Sequence, residues 1–168
     1  MVDFIIGNAL KYGDNINTDI ISPPAYMERP IGEAASYAMS PVDTAFASSV
    51  QPGDIFVAEN NLGSGSSRET APLTLKFLGI QAILAKSYAR IFYRNCINLG
   101  ILAIECPETD KISMLDTLKI DTTQGMVYNL TSGESYACDK IPPHILSLVS
   151  CGGLVASLKQ TQERKDHR

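Results

Sequence analysis

Apolar residues come in short runs along this chain, and their spacing changes several times. Residues 2–12 read as a strand, followed by the polar stretch Gly13–Asp19, the pair Ile20-Ile21 and the turn-forming Ser22-Pro23-Pro24. Ile31–Met39 reads as a short helix. Pro52-Gly53-Asp54 forms a turn that opens the strand Ile55–Ala58. The Gly/Ser/Asn-rich segment Asn60–Ser67 then leads into a helix from Ser67 to about Leu78, with Gly79 placed to end it. Ile80–Ala85 is a buried strand, Tyr88–Asn98 a helix ending at Gly100, and Ile101–Glu105 a further apolar run closed by Pro107. Strand, helix, strand, helix, strand is the signature of parallel βαβ units. Residues 115–139 alternate more weakly and predict two or three antiparallel strands, with Ser132-Gly133 as a turn. Ile145–Val149 and Leu154–Leu158 read as short helices around Gly152-Gly153. The pattern predicts a single α/β domain over residues 1–159, with a polar, flexible tail over 160–168.

Composition narrows the chemistry. At 168 residues the chain can bury about 70% of its unfolded surface without staples. Its 14 basic and 18 acidic residues give a net charge of −4, which excludes a general electrostatic footprint for nucleic acid or membrane. No apolar run approaches the roughly 18 residues of a membrane span. The first residues, Met1-Val2-Asp3, carry an acid where a signal peptide would be positive, so a cytoplasmic, reducing setting is expected. Only His144 and His167 are available as histidines, too few for a His-based metal cluster. Cys96, Cys106, Cys138 and Cys151 form no Cys-x-x-Cys pair and no zinc or iron–sulfur spacing, and read as structural thiols.

Three segments carry candidate chemistry. Asn60-Asn61-Leu62-Gly63-Ser64-Gly65-Ser66-Ser67-Arg68-Glu69-Thr70 joins a predicted strand to a predicted helix. Its glycines allow close approach to the backbone, a helix start favours an anion, and Arg68 offers a bidentate fork for a carboxylate. Ser66 and Glu69 also match a capping box, which would explain the pattern without chemistry. The ending Gly-Lys-Ser/Thr of a nucleotide P-loop is absent. Gly13–Asp19 packs acid, amide and hydroxyl groups without calcium-loop spacing, and an Asx-type turn accounts for it equally well. In Lys86–Asn98, Arg90 and Arg94 stand four apart on one helical face, either to hold a carboxylate or a loop or simply to face solvent.

In this order and spacing the segments resemble the small-subunit family of isopropylmalate isomerase and homoaconitase, itself similar to the swivelling C-terminal domain of aconitase. The matching stretches are Tyr12–Ile21, Gly63-Ser64-Gly65-Ser66-Ser67-Arg68-Glu69 and Tyr88–Gly100, within residues 4–106. The resemblance implies a swivelling β/β/α domain with a mixed central sheet flanked by helices. It also implies a hydro-lyase that moves a hydroxyl between adjacent carbons through an alkene. No cofactor is implied in this chain. A [4Fe–4S] cluster is implied in a partner large subunit, in a heterodimer or heterotetramer acting on a small di- or tricarboxylate. By the family's motif Ser66 is the base, Arg68 binds a substrate carboxylate and Asp19 shapes the pocket, with Gly65 and Ser67 beside them.

Departures from the family's pattern bear on the substrate. Ser64 stands where many members have Cys, and Thr70 where His or Gln is frequent. The loop that reads the variable group is Tyr26-Met27-Glu28-Arg29, where members handling an extra carboxylate carry Tyr-Leu-Arg. Glu28 at that position repels a carboxylate unless Arg29 swings in, and favours an uncharged substituent. Isopropylmalate enzymes tend to carry an apolar residue there, so Glu28 is not their usual signature either. The expectation is a substituted malate of the isopropylmalate dehydratase type with an uncharged, unassigned substituent. Homoaconitate, methyl- and dimethylmalate relatives, and an anion-binding module without catalysis remain the alternatives.

Overall fold

The computed structural model describes residues 4–166, so Val2 and Asp3 of the expected first strand and His167 of the tail lie outside the described residues. Strand β1 (Phe4–Lys11) is followed by three one-turn helices, α1 (Thr18–Ile21), α2 (Ile31–Ala34) and α3 (Phe46–Ser49). Then come β2 (Ile55–Val57), α4 (Thr70–Leu78), β3 (Ala82–Ala85), α5 (Arg90–Asn98) and β4 (Leu102–Glu105). Strands β5 (Thr117–Asp121), β6 (Met126–Asn129) and β7 (Ser135–Ala137) precede α6 (Pro143–Ser150) and α7 (Leu154–Asp166). The described strands form one mixed sheet in the order β4-β3-β2-β1-β5-β6-β7. β1 to β4 are parallel, whereas β5, β6 and β7 each pair antiparallel with their neighbours.

Every residue of β2 and β3 is buried, as continuous apolar runs require when a parallel sheet is covered on both faces. On one face Leu10, Phe56, Ile83 and Ala103 pack against Ala71 and Leu75 of α4 and Phe92, Cys96 and Ile97 of α5. On the other, Ile55, Val57, Leu84 and Ile104 share a core with Leu118, Ile120, Val127 and Tyr136. Both halves of one sheet meet in that second core, so the antiparallel half curls over the back of the parallel half.

The helix expected over Ile31–Met39 is the single turn α2 followed by a 3₁₀ turn at Ala35–Tyr37, and the bounds of α4, α5 and α7 also depart from the sequence expectation. Helix α4 begins at Thr70 rather than Ser67, and its first internal bond runs from Leu73 N–H to Glu69 O at 2.9 Å. Pro72 is the cause: it lacks an N–H, and its ring would clash with the carbonyl four residues back in a helix begun at Ser67. In a helix begun at Thr70, Pro72 falls in the first turn, where no N–H is needed. Helix α5 begins at Arg90 rather than Tyr88, because the backbone at Tyr88 pairs in extended form with Leu62, with Ala89 N–H donating to Leu62 O at 2.9 Å. Helix α7 continues to Asp166, through the span read as a polar tail, and its residues from Lys159 on are exposed.

Candidate active site

β1, β2 and β3 are parallel, so the loops after their carboxyl ends emerge at one edge of the sheet, where open α/β sheets hold their ligands. Those loops are the three motif segments, and hydrogen bonds lace them together. Gly63 N–H donates to Ile16 O (2.8 Å) and Thr18 N–H to Ser64 O (2.9 Å). Ser66 N–H donates to Thr18 Oγ1 at 2.9 Å. Asp14 Oδ1 accepts from the backbone N–H and Nδ2 of Asn60, at 2.9 and 3.0 Å, and these bonds hold its carboxyl below the usual carboxylate range. From the third segment, Ser87 Oγ accepts from Asn61 N–H (2.8 Å) and Asn95 Nδ2 donates to Ser67 O (3.1 Å). Gly63 has φ +83°, and a Cβ there would lie 2.0 Å from Phe92 Cγ, so only glycine lets the loop close onto α5.

This lacing gathers Ser66, Arg68 and Asp19 with Pro24, Ala25, Met27, Glu28 and Arg29 around a cavity of about 430 Å³. Asp19 is an exposed residue of α1, whose start is fixed by Asn17 Oδ1 accepting from Ile20 N–H at 2.9 Å. The Arg68 guanidinium contacts the Met27 sulfur and so joins the glycine–serine loop to the 24–29 turn. Ser66 Oγ accepts from Arg68 N–H at 3.3 Å. Ser66 is not the helix cap that the Ser-x-x-Glu pattern suggested: Glu69 occupies that position and makes no side-chain cap bond. A loop amide, not the first turn of a helix, therefore faces the Ser66 hydroxyl.

Three further residues named from the sequence stand outside the cavity lining. Gly65, at φ +108°, backs onto Thr18, where a Cβ would come 3.0 Å from Oγ1. Ser67 is exposed, with its carbonyl held by Asn95. Tyr26 stacks on Tyr37, ring centroids 3.6 Å apart. Sequence reasoning missed Thr18 and Asn95, each of which anchors the loop that carries Ser66. Their only sequence signal was membership in the polar runs 13–19 and 86–98. Arg90 lines a separate cavity of about 330 Å³ with Tyr88, Tyr93, Glu105 and Asp139, and Arg94 is exposed.

The donors among the described residues do not suit an iron–sulfur cluster or another metal. Its four cysteines are free thiols, and Cys96 and Cys106 are buried. Burial pushes the Cys96 thiol upward and the Cys138 thiol up to about 12, the opposite of what a thiolate ligand needs. Among the described residues no group of three or more His, Cys, Asp or Glu side chains could hold a metal ion. No helix among them is long and apolar enough to cross a membrane.

Comparison with known proteins gives a consistent assignment. Residues 10–109 match the Aconitase C-terminal domain. The chain is 45% identical over 161 residues to 3-isopropylmalate dehydratase small subunit 1 of Archaeoglobus fulgidus, covering 95% of this chain and 99% of that one. It is 39% identical over 160 residues to the 2,3-dimethylmalate dehydratase small subunit of Eubacterium barkeri, covering 94% and 98%. The crystal structure of 3-isopropylmalate dehydratase (leuD) from Methanocaldococcus jannaschii superposes with a TM-score of 0.91 at 37% identity, covering 98% of each chain.

Proposed function

This chain belongs to the Aconitase C-terminal domain family, and from that premise we propose that it is the small subunit of a hydro-lyase that isomerises a substituted malate, 3-isopropylmalate first. The observation that carries the reading is the convergence of Ser66, Arg68 and Asp19 with the 24–29 turn on one cavity. Dehydration takes a proton from the carbon next to a carboxylate and hydroxide from its neighbour, leaving an alkene; rehydration returns them in exchanged positions. This chain's share is the proton. Ser66 Oγ takes it, and the electron pair of the broken C–H bond becomes the π bond.

A free serine hydroxyl is far too weak an acid to act as an alkoxide, so its surroundings must favour the anion. The Arg68 N–H aimed at Ser66 Oγ and the Arg68 charge two residues on both do so. The Arg68 guanidinium also suits a substrate carboxylate, which its planar fork can bind through two parallel bonds. Asp19 lines the same cavity and borders the space where the reacting carbons would lie.

Departure of the hydroxyl is the share of a large subunit, to which the resemblance assigns a [4Fe–4S] cluster and its Lewis-acid chemistry. Among the described residues no set offers the cluster a place. The names of its relatives point to two substrates, 3-isopropylmalate and 2,3-dimethylmalate, both with uncharged alkyl groups. The former would place the enzyme in leucine biosynthesis. The test is to follow alkene formation in the ultraviolet with the chain alone and with a candidate large subunit. Activity is expected only from the pair, and full activity from the isolated chain would refute the shared site.

A further inference from the structure

Behind the cavity lining, and reaching it only through Arg29, stands an aromatic and charged assembly that the proton transfer does not use. Tyr26 and Tyr37 stack face to face, with planes 4° from parallel. The Arg29 guanidinium carbon lies 5.1 Å from the Tyr26 ring centroid and 5.9 Å from that of Tyr37. Arg29 Nη1 donates to Glu33 Oε1 at 2.7 Å. These four residues tie the 3₁₀ turn Pro24–Tyr26 to α2 and to the following turn Ala35–Tyr37.

Apart from the Arg68–Met27 contact, few bonds hold the 24–29 turn. Its own backbone bonds, Tyr26 N–H to Pro23 O, Met27 N–H to Pro24 O and Arg29 N–H to Tyr26 O, are 3.1, 3.2 and 3.1 Å long. An exposed ion pair alone contributes little, but a guanidinium bonded to a carboxylate and lying against the edge of a stacked ring pair has few other directions open to it. Glu28, by contrast, has no ion-pair partner among the described residues.

We propose that Arg29 is a positioning residue rather than a substrate ligand: the Tyr26–Arg29–Glu33–Tyr37 clip commits its charge to Glu33 and fixes Met27 and Glu28 at the cavity, so the site takes malates whose variable substituent is uncharged. This rests on the dehydratase reading. A third carboxylate on the substrate would meet Glu28 with no released arginine to offset the repulsion, while Arg68 is occupied by the carboxylate next to the reacting carbon.

Hydrogen exchange across residues 24–29 of the full chain tests the clip without any activity. Arg29→Ala, Glu33→Gln and Tyr37→Leu are each expected to speed exchange there about tenfold, and the Arg29→Ala/Glu33→Gln double variant no more than either single one. Unchanged exchange in these variants would overturn the proposal. In the reconstituted pair, Arg29→Ala and Glu33→Gln are expected to raise KM for an alkyl malate to a similar extent while kcat is largely kept. Glu33→Gln, which releases Arg29, is expected to admit a carboxyalkyl malate that the unaltered pair rejects. If Arg29→Ala instead removes turnover as Arg68→Ala does while Glu33→Gln is silent, Arg29 is a substrate ligand and the proposal fails. Turnover of the carboxyalkyl malate by the unaltered pair also contradicts it. Should the unaltered pair process no malate at all, the dehydratase reading fails, and the exchange result still decides whether the clip exists.

Discussion

Ser66 has a hydroxyl with a single amide aimed at it and a backbone N–H already given to Thr18. That arrangement fixes the direction of the hydroxyl through the backbone while leaving the oxygen able to take a proton. The glycines around it have a separate task. Gly63 sits in left-handed backbone against the Phe92 ring, so a methyl group there meets both a strained φ and a side chain of the core. Gly63→Ala is expected to lower stability by about 3 kcal/mol in urea unfolding. A change below about 1 kcal/mol would show that the loop and α5 separate easily.

At the scale of elements, the parallel half of the sheet was legible because Ile55–Ala58, Ile80–Ala85 and Ile101–Glu105 are apolar runs separated by helical lengths, and burial alone decides such runs. The antiparallel strands β5 to β7 were legible from alternation and from the turn at Gly133, whose φ is +79°. The start of α4 was misread because Ser66-x-x-Glu69 is a good local cap, yet Pro72 and the bonds that Thr18 and Asn95 make to the loop outweigh it. The span of α7 was misread because residues 160–166 are polar on all sides, so the helical period has no apolar stripe to show it. As for the site, Ser66, Arg68, Asp19 and the turn carrying Met27, Glu28 and Arg29 were named through the family resemblance, and the fold brings them to one cavity. The anchoring by Thr18 and Asn95 and the Tyr26–Tyr37 stack were not legible, because each joins residues that only the fold brings together.

Across the whole molecule, several phenols and thiols are held in their neutral forms. Burial raises Tyr88 and Tyr93, and burial together with the 2.6 Å bond to Asp43 raises Tyr12, all from an ordinary value of 10.0. Burial likewise raises Cys96, Cys106 and Cys138 from 9.0. Above those ordinary values the unfolded chain has released protons that the folded chain still binds, so folding stability falls as pH rises. Stability is expected to be level from neutral pH up to about pH 9 and to decline beyond it, read from urea midpoints at pH 7.5 and 10.5. Equal midpoints would contradict the neutral burial of these groups.

On the proposed reading, a chain with two histidines and scattered thiols takes part in a dehydration by bringing a proton acceptor, an arginine and a reading loop, and by leaving the hydroxyl to its partner. The most direct measurement of that claim is alkene formation by the reconstituted pair with Ser66→Ala in place of the unaltered chain, alongside a check by gel filtration that the two subunits still assemble. The account predicts an intact complex whose turnover is lost by about a thousandfold or more. Turnover close to that of the unaltered pair would contradict it, because the proton would then be leaving to some group other than Ser66.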